Sequence, residues 1–161
     1  MVESRKKIVS LPQLKRTLAQ LRRRGKKIAF TNGCFDILHL GHVQYLEKAK
    51  SAGDVLVVGL NSDASVRRIK GPKRPVLPQK ERAGILAGLA SIDFIVFFNE
   101  DTPAQLIKAI VPDVLTKGAD WKNKEVVGSD VVRKNGGIVR LIKFLPGRST
   151  TNIIEKVLKN G

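Results

Sequence analysis

Acidic residues are scarce in this chain of 161 residues: 14 Asp and Glu stand against 30 Lys and Arg, for a formal net charge of +16. Cysteine, tryptophan and tyrosine each occur once, and aromatic residues make up only 5% of the chain. The single cysteine, Cys34, excludes an internal disulfide framework and a multi-cysteine zinc module. So few aromatics provide no platform for stacked bases, and no helix-turn-helix or RNP-like string is evident. A specific nucleic-acid module is therefore the weaker account of the charge, and a salt-sensitive, sequence-blind gel shift would mark incidental binding. No segment approaches the roughly 20 consecutive apolar residues that span a bilayer. The start, MVESRKKIVSLPQLKRTLAQ, lacks the apolar run of a secretory signal. These absences predict a soluble protein of a reducing cytoplasm, without membrane insertion.

What is present is enough apolar material, 42%, for one core. Residues 11–24 place Leu11, Leu14, Leu18 and Leu21 at helical spacing, with a basic opposite face and Gly25 as the stop. Apolar runs at 27–32, 54–61, 94–98, 113–118 and 137–144 read as strands. Helices are expected between and after them, at 41–53, 63–69, 79–90, 102–111, 129–136 and 149–160. Thr102 reads as a cap for the helix at 102–111, with Pro103 at its first position. The stretch 71–78, GPKRPVLP, is a loop.

Alternation of helices with continuously apolar strands predicts an α/β fold: a doubly wound, Rossmann-like sheet of five parallel strands with helices on both faces. Residues 1–26 form a leading basic helix packed on or leading into the domain at 27–161. Ligands of such sheets bind beyond the carboxyl ends of the strands, near a switch in strand order.

Both histidines of the chain follow the first strand, in Thr31-Asn32-Gly33-Cys34-Phe35-Asp36-Ile37-Leu38-His39-Leu40-Gly41-His42. A helix starting there offers free N–H groups and a positive dipole end to phosphate oxygens. Gly41 permits close backbone approach, and His39 and His42 add donors on one turn. The same pair also fits chance polar residues at a helix end, or a metal site with Cys34 and Asp36. A third strong ligand is not obvious, which counts against structural zinc.

Taken whole, Gly33 to His42 resembles the G-x-F-D-x-x-H-x-G-H signature of the cytidylyltransferase-like nucleotidyltransferases, with every fixed position filled. The segments FTNGCFDILHLGH, GLNSDASVRRIKG, RPVLP, EDTPAQLI, VLTKGADW, NGGIV and STTNII are similar to one branch, the adenylyltransferases acting on D-glycero-β-D-manno-heptose 1-phosphate. They run from about residue 27 to the end.

The resemblance implies transfer of AMP from ATP to a sugar 1-phosphate, giving ADP-heptose and pyrophosphate. It implies catalytic roles for His39, His42 and Lys70. A nucleotide site is implied at Asn32, Gly33, Cys34, Phe35, Gly41, Lys117, Gly118, Asp120, Ser149, Thr150 and Thr151. Asn61, Asp63, Lys73, Arg74 and Arg82 would take the sugar phosphate. Lys70, Lys73 and Arg74 would act as a mobile cationic arm, against the plainer reading of a solvated loop. Arg82 reads equally as a helix-surface arginine, and Trp121 equally as a packed aromatic. Asn61, Ser62 and Asp63 could simply cap a helix. Cys34 reads as a small packing residue rather than a nucleophile. Mg²⁺ would be held mainly by the nucleotide, with no dedicated protein metal site. A homodimer and a sugar kinase on a separate protein are implied partners. Phe144 stands where glycerol-phosphate cytidylyltransferases carry an arginine, which disfavours that activity; it and an FMN adenylyltransferase remain the alternatives within the fold. No function is evident for Arg22, Arg23, Arg24, Lys26 and Lys27.

Overall fold

The computed structural model describes residues 3–119, 125–143 and 149–160. Its strands are β1 (Ile28–Gly33), β2 (Val55–Asn61), β3 (Phe94–Phe98), β4 (Val114–Gly118) and β5 (Ile138–Ile142). All pair in parallel, in the order β3-β2-β1-β4-β5. The chain moves outward from β1 through β2 to β3, then returns to β4 on the opposite side of β1. The switch in strand order therefore falls between β1 and β4, and opens a crevice at their carboxyl ends.

The helices are α1 (Leu11–Arg23), α2 (Leu40–Lys50), α3 (Asp63–Lys70), α4 (Gln79–Ala87), α5 (Ala104–Ile110), α6 (Ser129–Lys134) and α7 (Thr150–Asn160). Two apolar clusters cover the two sheet faces. Tyr45, Leu46 and Ala49 of α2 pack with Ala83, Leu86 and Ala87 of α4 over one face. Leu14 and Leu18 of α1 join Leu106, Ile107 and Ile110 of α5 and Val132 of α6 over the other.

The basic leading helix is thus part of the sheet's covering. Its start is fixed by a capping box: Ser10 accepts from the backbone N–H of Gln13, and the Gln13 side chain accepts from the Ser10 N–H. Leu14 and Leu18 are fully buried, at roughly 1.5–3 kcal/mol each. Arg22, for which the sequence suggests no function, donates to the carbonyls of Ile110 (2.7 Å) and Val111 (2.8 Å) and so closes the end of α5. Ile8 bridges Ile95 and covers the outer edge of β3.

Three local details differ from the sequence reading. The fifth helix starts at Ala104, with Pro103 at the cap position and no side-chain cap from Thr102. A 3₁₀ turn at Glu3–Lys7 was not foreseen, because its five residues carry no apolar period. Finally, β5 is not covered on both faces: Ile138 and Leu141 are exposed, as expected of an edge strand rather than an inner one.

Candidate active site

A cleft of about 620 Å³ opens where β1 and β4 end. Its floor is Asn32 and Gly33 from β1 and Lys117 from β4, with Asn61 at the end of β2. The Lys117 ammonium donates to the Asn32 side-chain carbonyl, tying the two strands together across the switch. Gly33 is required sterically, since a Cβ there would lie 2.9 Å from the Phe35 ring. Phe35 itself holds φ at 44°, a left-handed conformation that is costly for a side-chain-bearing residue. Buried packing holds it there, and its ring meets His42 edge-on at 5.3 Å.

His39 sits at the N-cap of α2, with extended backbone and no side-chain capping bond. Three residues later His42 lies on the same turn, and the two imidazoles stack with centroids 3.8 Å apart. Both line the cleft. Burial, then the nearby His39, push the His42 pKa down to about 4, with the Ile37 backbone offsetting part of the shift. His42 is therefore neutral at pH 7 and able to donate from a ring N–H. The first turn of α2 carries no acidic residue, so its positive end is open to an anion.

Lys70, the last residue of α3, and Arg74, from the following loop, also line the cleft. Lys70 makes no ion pair among the described residues, whereas Arg74 is committed. Its Nε donates to Asp36 Oδ2 at 2.6 Å, and that carboxylate also accepts from the Val76 and Leu77 N–H groups at 2.9 Å. Burial acts to raise the Asp36 pKa, but the two backbone donors and Arg74 outweigh it, and the net direction is down. The anticipated mobile arm is therefore pinned over 74–77. Lys73 is exposed and does not line the cleft.

Arg82 is also placed away from the cleft. It is 1% exposed, and its guanidinium donates to the carbonyls of Leu77 (3.0 Å), Cys34 (2.6 Å) and Asn61 (3.0 Å) and to Asp63 (2.7 Å). It braces the ends of β1 and β2 against the loop, and neither it nor Asp63 is among the residues that line the cleft. The helix-cap reading of 61–63 holds for Ser62, which accepts from the Ser65 N–H. Gly41 and Gly118 are buried behind the lining. Cys34, Ser149, Thr150 and Thr151 do line it. Burial pushes the Cys34 thiol up, against the pull of Lys70, Arg82 and Arg74, which suits packing rather than nucleophilic attack. Asp120, Trp121, Phe144, Gly147 and Arg148 lie outside the described residues.

The structure adds lining residues that the sequence did not suggest: Ile69, Val127 and the run Asp101-Thr102-Pro103. Only Asp101 and Thr102 of these carry polar side chains, and Thr102 reads in the sequence as a helix cap.

Residues 30–156 match the family described as Cytidylyltransferase-like, a span containing every described lining residue. The chain belongs to the cytidylyltransferase-like family. Among relatives of this member, the Bifunctional protein HldE of Wolinella succinogenes is 57% identical over 155 residues, 96% of this chain. The protein of that name from Geobacter metallireducens is 59% identical over 157 residues, 98% of this chain. The chain spans about a third of the length of each, 32%. Among solved structures, the lipopolysaccharide core biosynthesis protein from Thermoplasma volcanium superposes with a TM-score of 0.62 at 30% identity, covering 75% of this chain and 98% of that one. Pantoate-beta-alanine ligase from Francisella tularensis shares the fold, with a TM-score of 0.60 at 15% identity over 94% of this chain and 78% of that one.

Proposed function

We propose that this protein transfers the adenylyl group of ATP to D-glycero-β-D-manno-heptose 1-phosphate, giving ADP-heptose and pyrophosphate. The observation that carries the reading is the stacked His39–His42 pair on the uncapped first turn of α2, at the switch point of a cytidylyltransferase-like sheet. Similarity to the bifunctional HldE proteins, and the branch-like segments in the sequence, support the choice of sugar. ATP is the proposed nucleotide on the same branch resemblance.

The sugar phosphate is already ionised at pH 7, so the reaction needs no general base. One phosphate oxygen attacks the α-phosphorus as the bond to pyrophosphate breaks in line. Catalysis then rests on position and charge. His39, His42 and the N–H groups of α2 hold the triphosphate. Lys70 meets the oxygens on which charge gathers. Lys117, Asn32, Ser149, Thr150 and Thr151 border the nucleotide, while Asn61 and the Asp101–Thr102 end of the cleft border the sugar.

Mg²⁺ would shield the triphosphate charge, but the described residues do not form a protein cage for it. Among the described residues no three His, Cys, Asp or Glu side chains cluster, and Asp36 already accepts from Arg74 and two backbone donors. The ion would arrive on the nucleotide, and none of the protein's steps is assigned to it. A cytoplasmic homodimer fed by a sugar-phosphorylating kinase completes the reading. Among the described residues, no helix is long and apolar enough to cross a membrane.

The test is pyrophosphate release with ATP, CTP, GTP and UTP against heptose 1-phosphate, glycerol 3-phosphate and FMN. Turnover with ATP and heptose 1-phosphate alone is expected. Preference for CTP with glycerol 3-phosphate, or for ATP with FMN, would overturn the assignment.

A further inference from the structure

Asp36 borders the cleft, yet it is 2% exposed and its carboxylate is engaged by donors from one distant loop. Its partners Arg74, Val76 and Leu77 lie 38 to 41 positions further along the chain. The loop begins at Gly71, directly after Lys70, with φ at 94° and open space where a Cβ would stand. Its N–H donates to the Arg67 carbonyl of α3 (2.9 Å), and its carbonyl accepts from the Arg74 N–H (3.1 Å), so the end of α3 is tied directly to the segment that Asp36 holds. The far end is held twice, by Asp36 on the Val76 and Leu77 N–H groups and by Arg82 on the Leu77 carbonyl. Arg82 also holds Cys34, two residues before Asp36. The loop and the phosphate-facing turn are thus bound to each other by two buried charged groups.

We propose that Asp36 is a positioning residue that fixes the Gly71–Pro78 loop and thereby sets Lys70 over the phosphate end of the cleft. The role rests on the nucleotidyl-transfer reading only for its kinetic consequence; the placement of Lys70 is a property of the free protein. A carboxylate suits the task because its two oxygens accept from a guanidinium and two N–H groups at once. Asparagine offers only one acceptor oxygen and no charge to hold Arg74.

Cys34 supplies a reporter that needs no turnover. It is the chain's one cysteine, and Lys70 and Arg74 both act to lower its pKa while Asp36 acts to raise it. Removing the Asp36 charge alone would therefore lower the thiol pKa. Releasing the loop would withdraw Lys70 and Arg74 and raise it. The two explanations predict opposite signs.

The experiment measures the pH profile of Cys34 alkylation by iodoacetamide in the wild type, Asp36→Asn, Lys70→Ala and the double variant. Expected is a profile shifted to higher pH in Asp36→Asn and in Lys70→Ala, with the double variant shifted less than the sum. A downward shift or no shift in Asp36→Asn, or strict additivity, would overturn the proposal. If Asp36→Asn does not fold, Lys70→Ala is compared in the wild type and in Arg74→Gln: a smaller upward shift in the Arg74→Gln background is expected, and an equal one would overturn the proposal.

Kinetics form the second arm. Asp36→Asn should lower kcat about 10- to 100-fold with the ATP KM changed less than about threefold, and Lys70→Ala added to it should cost less than it does in the wild type. Wild-type protein that turns over none of the substrates would defeat the functional reading and leave the alkylation result standing. Equal loss from Lys70→Ala in both backgrounds would defeat the positioning role.

Discussion

Arg82 and Arg23 both sit on helices, and the sequence leaves Arg82 between a sugar-phosphate ligand and a helix-surface arginine while suggesting no function for Arg23. In the fold Arg82 is 1% exposed, with four hydrogen bonds ending on protein atoms, while Arg23 stands exposed at the end of α1. The same contrast separates the two regions they belong to. Around the cleft, Arg74 and Arg82 are spent on internal carboxylates and carbonyls, leaving Lys70 and the stacked His39–His42 pair to meet an anion. Along α1, Lys15, Arg16, Arg23 and Arg24 face solvent without ion pairs among the described residues. A count of +16 thus conceals which cations bind the protein, which could bind a ligand, and which do neither.

The sharpest way to break this contrast is to remove Arg82. Arg82→Ala leaves Asp63 without its partner and three carbonyls short of a donor, and should lower stability by about 3–5 kcal/mol in urea unfolding. A loss under about 1 kcal/mol would return Arg82 to the surface class. His39→Ala and His42→Ala should each cost roughly 100- to 1,000-fold in kcat, with unfolding midpoints close to wild type. Near-normal turnover by both would remove the pair from the chemistry.

A third expectation concerns acid. The folded His42 pKa of about 4 lies below its ordinary value of 6.5, so between those values the unfolded chain binds the extra proton. Stability should therefore be lost as pH falls from about 6.5 through about 4, by at most roughly 1.4 kcal/mol per pH unit from this group. The slope should flatten in His42→Leu. The smallest effect is expected on α1: changing Lys15, Arg16, Arg23 and Arg24 together to Gln should alter kcat less than about twofold and stability by no more than about 0.5 kcal/mol per site. A large loss of turnover there would merge the two regions again.

How legible each part was follows from how local its cause is. The strands were readable to within about two residues, because five buried runs separated by helical periods leave few arrangements. The histidine turn was readable because its residues are contiguous. Lys117 on Asn32, Arg74 on Asp36 and Arg82 on Cys34 were not, since each pair is joined only by the fold, across 38 to 85 positions. A buried arginine and a surface arginine have the same letter. Thr102 misled for the opposite reason: Thr-Pro is a sound local helix start, but Pro103 takes the cap position and leaves Thr102 on the cleft wall.

The central claim is that phosphate sits at the His39–His42 turn, and the NMR titration of the two imidazoles tests it most directly. The chain has only these two histidines, so both are assignable from single substitutions. In the free protein His42 should titrate near pH 4. Saturating ATP should raise that value toward neutrality, as the triphosphate charge favours the imidazolium. A His42 titration unchanged by saturating ATP would contradict the account.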